Sequence, residues 1–344
     1  MILRNKKETF FMKIIGIGDL LIPGRYITEG FERFIRQGHQ LQVFDWQINS
    51  IEELQNINLY IERNGPDSYE IPTELLEKMK DAEVIITQFC PINSQVLSIC
   101  KDLKAVGVLR GGMENIDLDL CQERNIKVFN TPGRNANAVA DFTVGMILAE
   151  ARNIARAHAL LKEGKWIKEY TNKDSVPDLC GKTAGIVGYG AIGRKVAARL
   201  KAFDMNIVVY DPYITDRDVK LVSLEELFRT SDFVTLHSRL SKDNEKMVSY
   251  ELLASMKPTA YFINMARSGL VDEDALEQVL KEGKIAGAAI DVFEQEPPGK
   301  DYKFLKYDNV TVTPHMAGST RDAFTGSPFL LAERMEAFIN GKEG

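Results

Sequence analysis

A glycine-rich turn in the middle of the chain sets the strongest constraint on its fold. Gly185-Ile186-Val187-Gly188-Tyr189-Gly190-Ala191-Ile192-Gly193 closes an apolar run and opens a helical pattern from Arg194 to Leu200. Gly188, Gly190 and Gly193 form G-x-G-x-x-G. The first permits a tight strand-to-helix turn, the second lets backbone approach a pyrophosphate, and the third lets helix pack on strand. The helix N-terminus adds unpaired N–H groups and partial positive charge for phosphates. The next strand, Ile207-Val208-Val209-Tyr210, ends at Asp211, 18 residues beyond Gly193. An acid there accepts hydrogen bonds from ribose hydroxyls and repels a 2′-phosphate, so the pattern points to NAD. More than half of the chain precedes this turn, so the domain that carries it is expected to be an insertion into another.

At 344 residues the chain exceeds one ordinary core, and two domains are expected. A net charge of −6 without any basic run argues against nucleic acid as partner. No apolar run approaches the ~20 residues of a bilayer span, so no membrane is expected. Cys90, Cys100, Cys121 and Cys180 form no C-x-x-C and have no histidine at metal-ligand spacing. That predicts reduced thiols in a cytoplasmic protein and no metal. The first residues lack a signal-peptide apolar region, and residues 1–11 read as a loose extension.

Strand and helix patterns alternate through the rest. Lys13–Ile17, Gln40–Phe44, Glu83–Thr87 and Leu103–Val108 read as strands, with helices at Thr28–Gln37, Ile51–Arg63 and Ser94–Cys100. This βαβ rhythm predicts a flavodoxin-like half. Gly16-Ile17-Gly18 lacks a third glycine and Pro23-Gly24 breaks the would-be helix, so it reads as a βα turn facing an interdomain cleft. Asn130-Thr131-Pro132-Gly133-Arg134-Asn135 is turn chemistry, a candidate hinge. One long helix is expected over Ala138–Lys162. Strands follow at Thr183–Val187, Asn206–Tyr210, Phe233–Leu236, Ala260–Asn264, Ala286–Ile290 and Val310–Thr313. A last helix, Arg321–Asn340, is expected to return to the first domain. The fold class is thus α/β, with two Rossmann-like domains: a flavodoxin-like substrate domain (12–130 and 319–344) and an inserted doubly wound NAD-binding domain (131–318).

Three strand ends of the second series deliver chemistry to one sheet edge, where α/β proteins bind ligands. They supply Arg267, Glu296 and His315. A guanidinium fork suits a carboxylate and an adjacent carbonyl. A histidine suits the acid that protonates a developing alkoxide, and a carboxylate on its other nitrogen would stabilise the imidazolium. His39 and His158 read as surface residues.

These blocks resemble the D-isomer-specific 2-hydroxyacid dehydrogenase family, phosphoglycerate dehydrogenase-like, from about Met12 to the end. The carriers are the glycine turn, Asn-Met-Ala-Arg-Ser-Gly-Leu-Val-Asp-Glu (264–273), Asp-Val-Phe-Glu-Gln-Glu-Pro (291–297) and Thr-Pro-His-Met-Ala-Gly (313–318). Asn115-Ile116-Asp117 and Asn130-Thr131-Pro132-Gly133 also resemble family blocks. The resemblance implies an enzyme that interconverts a D-2-hydroxy acid and its 2-oxo acid. Arg267 would clamp the substrate, Glu296 would tune the histidine, and His315 would be the acid/base. Ala191 and Ile192 would meet the pyrophosphate, Asp211 the ribose, and Ser238 the cofactor. Met265 and Ala266 would line the nicotinamide, Asp291 would hold its carboxamide, and Gly318 and Gly111 would lie close. Arg110, Gly111 and Gly112 would meet the substrate carboxylate. A homodimer joined through the cofactor domains is implied, with contact at the long helix and the arm through Trp166. Arg239 and Arg110 are cations the family pattern lacks, and Thr87 stands where phosphoglycerate dehydrogenases offer an arginine. No regulatory domain is expected after Gly344. Phosphite or formate oxidation on the same fold, and an NAD-sensing corepressor-like binding protein, are the alternatives.

Overall fold

The computed structural model describes residues 11–215 and 218–342. The extension expected at residues 1–11 therefore lies outside the described residues, except for Phe11. The chain divides into two compact units. One runs to Arg134 and resumes at Arg321; the other spans Asn135–Thr320.

In the first unit, β1 (Lys13–Gly18), β2 (Gln40–Asp45), β3 (Val84–Thr87), β4 (Ala105–Val108) and β5 (Lys127–Asn130) form one sheet in the order β2-β1-β3-β4-β5. All its pairings are parallel. This is the flavodoxin-like order, with its switch point between β1 and β3. Every residue of β3 and β4 is buried, as strands covered on both faces require. The sequence pattern does not reveal β5, an edge strand whose residues are exposed or half-buried.

Helices α1 (Gly24–Arg36), α2 (Ile51–Asn64), α3 (Thr73–Met79), α4 (Ser94–Ile99) and α5 (Leu118–Glu123) connect these strands. Pro23-Gly24 does not break α1 but starts it, with Pro23 at the N-cap. A proline there has no N–H to leave unpaired, and its φ of −52° suits the entry. The helix buries Ile27, Phe31 and Phe34 on one stripe. Each such side chain contributes about 1.5–3 kcal/mol by leaving water. His39 is also a correction: it is only 5% exposed, and its Nδ1 accepts the Met12 N–H at 3.1 Å.

The second unit holds α6 (Ala136–Ala151), α7 (Ile154–Lys162), β6 (Thr183–Val187), α8 (Ala191–Lys201), β7 (Asn206–Tyr210), β8 (Lys220–Leu221), α9 (Leu224–Thr230), β9 (Phe233–Leu236), α10 (Tyr250–Ala254), β10 (Tyr261–Asn264), α11 (Glu273–Lys281), β11 (Gly287–Ile290) and β12 (Val310–Val312). Its sheet runs β12-β11-β10-β9-β6-β7-β8, doubly wound about β6. The helix expected over Ala138–Lys162 is two helices. Asn153 takes φ +57°, the left-handed region that asparagine tolerates better than most residues. Its amide donates to Asn172 Oδ1 at 2.9 Å, and the Arg156 guanidinium bridges Asn153 and the buried carboxylate of Glu150.

The chain then returns to the first unit. The helix expected over Arg321–Asn340 is likewise split, into α12 (Arg321–Thr325) and α13 (Ser327–Ile339), with Pro328 in the opening turn of α13. Leu331, Met335 and Ile339 of α13 join Phe31 and Phe34 in one apolar cluster. Gly30 allows this approach: a Cβ there would stand 2.7 Å from the backbone of Pro328.

Candidate active site

Strand register brings the chemistry-bearing segments of the second unit side by side. Asn264 of β10 pairs with Ile290 of β11, and Ile290 pairs with Val312 of β12. Arg267, the 291–296 segment and His315 therefore leave the same carboxyl edge of one parallel sheet.

Glu296 and His315 meet. The Nδ1 atom of His315 lies 2.8 Å from both carboxylate oxygens. A carboxylate only accepts, so Nδ1 carries the hydrogen and Nε2 is left for chemistry. His315 has φ +48°, a conformation that a side-chain-bearing residue keeps only when its surroundings hold it. Asp291 supplies the hold. It is fully buried, and its Oδ1 accepts the Thr313 hydroxyl at 2.6 Å and the Met316 N–H at 3.0 Å. Its Oδ2 accepts the Ala317 N–H at 2.9 Å. One carboxylate thus grips the loop on both sides of the histidine, an anchoring role that the sequence did not reveal.

Arg267 is exposed. Its Nη1 donates to the Ala266 carbonyl at 2.7 Å, and among the described residues no acid pairs with it. Asn264 Nδ2 donates to the Arg267 carbonyl at 2.9 Å, which fixes its backbone to the end of β10. Met265 and Ala266 are buried in separate apolar clusters of this unit. Gly318 packs against Asn135, whose Nδ2 stands 2.4 Å from where a Cβ would lie.

The glycine turn lies at the switch point of the same sheet, where β6 separates β9 from β7. Gly188 has φ +92°, and a Cβ on it would stand 2.7 Å from both the nitrogen and hydroxyl of Ser238. A Cβ on Gly190 would meet nothing within 4 Å, so the backbone there faces open space. The first turn of α8 follows at once, and the N–H groups of Ala191, Ile192 and Gly193 have no acceptor one turn back. Asp211 Oδ2 accepts the Tyr189 N–H at 2.7 Å, and Oδ1 accepts the Tyr213 N–H at 2.9 Å. An open backbone face, a helix N-terminus and an acid tied to the turn fit a dinucleotide. Asp211→Ala is expected to relax selectivity towards NADP, read as the ratio of kcat/KM values for NADH and NADPH. Asp211→Asn, which keeps one acceptor oxygen, controls for the turn; an unchanged ratio in both would remove Asp211 as the reader.

Sequence reasoning passed over His237, which follows β9. Its Nε2 lies 3.0 Å from the Thr235 hydroxyl, and its Nδ1 is buried without a partner among the described residues. Burial pushes its pKa down to about 3, so the ring is neutral near pH 7.

Within the first unit, the Arg110 guanidinium is committed. It donates to Asn58 Oδ1 at 2.6 Å, to Glu62 at 2.5 Å and to Glu114 at 2.9 Å, and it lies over the Phe89 ring. Its expected role as a cation for substrate therefore competes with three partners. The N–H groups of Gly111 and Gly112 have no acceptor among the described residues.

Residues 144–317 match the model for the NAD binding domain of D-isomer specific 2-hydroxyacid dehydrogenases. The chain belongs to the D-isomer-specific 2-hydroxyacid dehydrogenase family. A D-3-phosphoglycerate dehydrogenase of Methanocaldococcus jannaschii is 41% identical over 276 residues, which are 78% of this chain and 52% of that one. The chain thus spans about half the length of that relative. A hydroxypyruvate reductase of Thermotoga maritima is 38% identical over 277 residues, covering 79% of this chain and 87% of its own. Among solved structures, the TT0316 protein of Thermus thermophilus has a TM-score of 0.71 at 28% identity, covering 96% of this chain and 98% of its own. The second unit is therefore the family's NAD-type cofactor domain. No helix among the described residues is long and apolar enough to cross a membrane.

Proposed function

We propose that this protein is an NAD-dependent oxidoreductase that interconverts a D-2-hydroxy acid and its 2-oxo acid. The observation that carries this reading is the Glu296–His315 pair, held by Asp291 on the strand end next to the one that presents Arg267. The glycine turn and Asp211 would hold NADH, which when bound would supply the hydride for the reducing direction. His315 gives the Nε2 proton to the carbonyl oxygen, and Glu296 holds the ring by Nδ1 while that proton leaves. Arg267 binds the carboxylate and polarises the adjacent carbonyl through its planar fork. The same groups run the reverse reaction, with His315 taking the hydroxyl proton.

In this reading the protein works as a cytoplasmic homodimer joined through its cofactor domains. Ile154, Leu161, Trp166, Ile167 and Val176 leave apolar side chains exposed on one stretch of the second unit, Trp166 at 77% exposure. Apolar surface of that extent on an ordered segment favours a protein partner. The described cysteines are all free thiols, as a reducing compartment favours.

A screen of NADH oxidation across glyoxylate, hydroxypyruvate, pyruvate, branched 2-oxo acids and sugar-derived 2-oxo acids tests the assignment. Turnover with at least one is expected. Tight NADH binding with no turnover on any of them would favour an NAD-sensing binding protein.

A further inference from the structure

The loop that follows β9 carries a cation that neither the packing of this unit nor the Arg267–Glu296–His315 set uses. Arg239 stands two residues after the neutral ring of His237. The His237 N–H donates to the Val187 carbonyl at 2.7 Å, so the chain runs on beside β6 to the edge of the glycine turn. There Ser238 fills the space in which a Cβ on Gly188 would lie. Leu240, on the other side of Arg239, packs on the turn after β10: a Cβ on Gly269 would stand 2.8 Å from its Cδ2. The Lys246 N–H donates to the Gly269 carbonyl at 2.8 Å and closes the loop against that same turn. The backbone of Arg239 is thus fixed between the glycine turn and the turn that begins with Arg267.

Asn244 braces this loop from within. Its Oδ1 accepts the Ser241 N–H at 2.7 Å, and its Nδ2 donates to the Arg239 carbonyl at 2.7 Å. The side chain of Arg239 is by contrast uncommitted. It is exposed, and among the described residues it has no acceptor, ring or acid as partner, although Asp243 and Glu245 lie in the same loop. A guanidinium carries five N–H donors in a planar fork, and here all of them are left to water or a ligand.

The glycine turn, for its part, is short of positive charge. From Gly188 to Gly193 no side chain is cationic, and the guanidinium of Arg194, the next residue, lies 4.6 Å over the Tyr189 ring. The N-terminus of α8 supplies only about half an elementary charge. The pyrophosphate of a dinucleotide is a dianion. We propose that Arg239 supplies the missing counter-charge and binds the cofactor's pyrophosphate from the loop after β9. Consecutive Cα atoms are ~3.8 Å apart, so the root of this side chain lies one residue from Ser238, which touches the turn. A planar fork matches two phosphate oxygens at once. Lys242, the next cation of the loop, lies beyond Leu240 and so past the contact with the Arg267 turn. The proposal concerns the cofactor domain alone. Binding reads it, so it stands or falls apart from turnover and from the choice of acid.

Fluorescence titration of the full chain with NADH, and competition by ADP-ribose and by adenosine, test this without any turnover. ADP-ribose keeps the pyrophosphate and lacks the nicotinamide; adenosine lacks both. Arg239→Gln should weaken NADH and ADP-ribose alike by about tenfold, the size of one hydrogen bond to a charged group, and leave adenosine unchanged. Arg239→Lys should recover part of the loss, since charge is kept and only the fork is gone. Added salt should weaken NADH binding more in the wild type than in Arg239→Gln, because the variant has one charge fewer to screen. Lys242→Gln, a cation lost from the same loop, should bind NADH as the wild type does. Melting temperatures should match throughout. Unchanged NADH affinity in Arg239→Gln would overturn the proposal. So would an equal loss with adenosine, which would put the side chain on the nucleoside, or an equal loss in Lys242→Gln, which would reduce the effect to the general charge of the loop. A raised KM for the 2-oxo acid with NADH affinity intact would assign Arg239 to the substrate and overturn it as well.

Discussion

Replacing His315 with alanine is expected to lower kcat for 2-oxo acid reduction by about 10²–10⁴-fold, the usual contribution of a positioned general acid. NADH affinity should stay near the wild-type value, because the glycine turn and Asp211 lie on β6 and β7 while His315 follows β12 at the far edge of the sheet. The His315 side chain is 45% exposed, so its loss opens no core cavity. Its backbone matters more. At φ +48° an alanine has no side-chain compensation, and a left-handed residue costs about 1–2 kcal/mol. His315→Asn meets that objection, since asparagine tolerates the conformation while lacking a proton donor of suitable pKa. Both variants should lose turnover to a similar degree, read by NADH oxidation alongside fluorescence titration of NADH. Full turnover in either would end the acid assignment. If alanine alone were inactive, the loop geometry held by Asp291 would be the active ingredient.

The parts of this molecule that the sequence announces are those where local pattern and function coincide. Arg267, Glu296, His315 and Asp211 each follow a short apolar strand, and a parallel sheet sends all such ends to one edge. The glycine turn declares itself because its φ and its close contacts demand glycine. What stays hidden depends on partners distant in the chain. The bend at Asn153 falls in a continuous run of helix-forming residues, and only Asn172 and the buried Glu150–Arg156 pair locate it. The strand Lys127–Asn130 lies at a sheet edge, so it shows no apolar run. Pro23 is ambiguous in sequence because proline both ends and begins helices, and the choice depends on the residues packed beyond it. Asp19 reads as part of a bare βα turn. Gln88, whose amide faces its carboxylate, comes near it only when the first sheet forms.

Removing the fork of Arg267 is the second large effect expected. A hydrogen bond to a charged group contributes about 1.5–3 kcal/mol, so losing two from the substrate removes about 3–6 kcal/mol. At about 1.36 kcal/mol per tenfold, Arg267→Ala should lower kcat/KM by about 10²–10⁴-fold. The loss should divide between KM, through the carboxylate, and kcat, through the carbonyl oxygen whose charge grows as hydride arrives. Arg267→Lys keeps one charge but cannot present two parallel donors, so KM should recover more than kcat. Stability should barely move, because the side chain is exposed and has no acid to pair with among the described residues. Added guanidinium at millimolar concentration should restore part of the activity of Arg267→Ala and none of that of His315→Ala. A drop in melting temperature that matches the loss of activity, with no rescue, would instead make Arg267 a brace for the turn after β10.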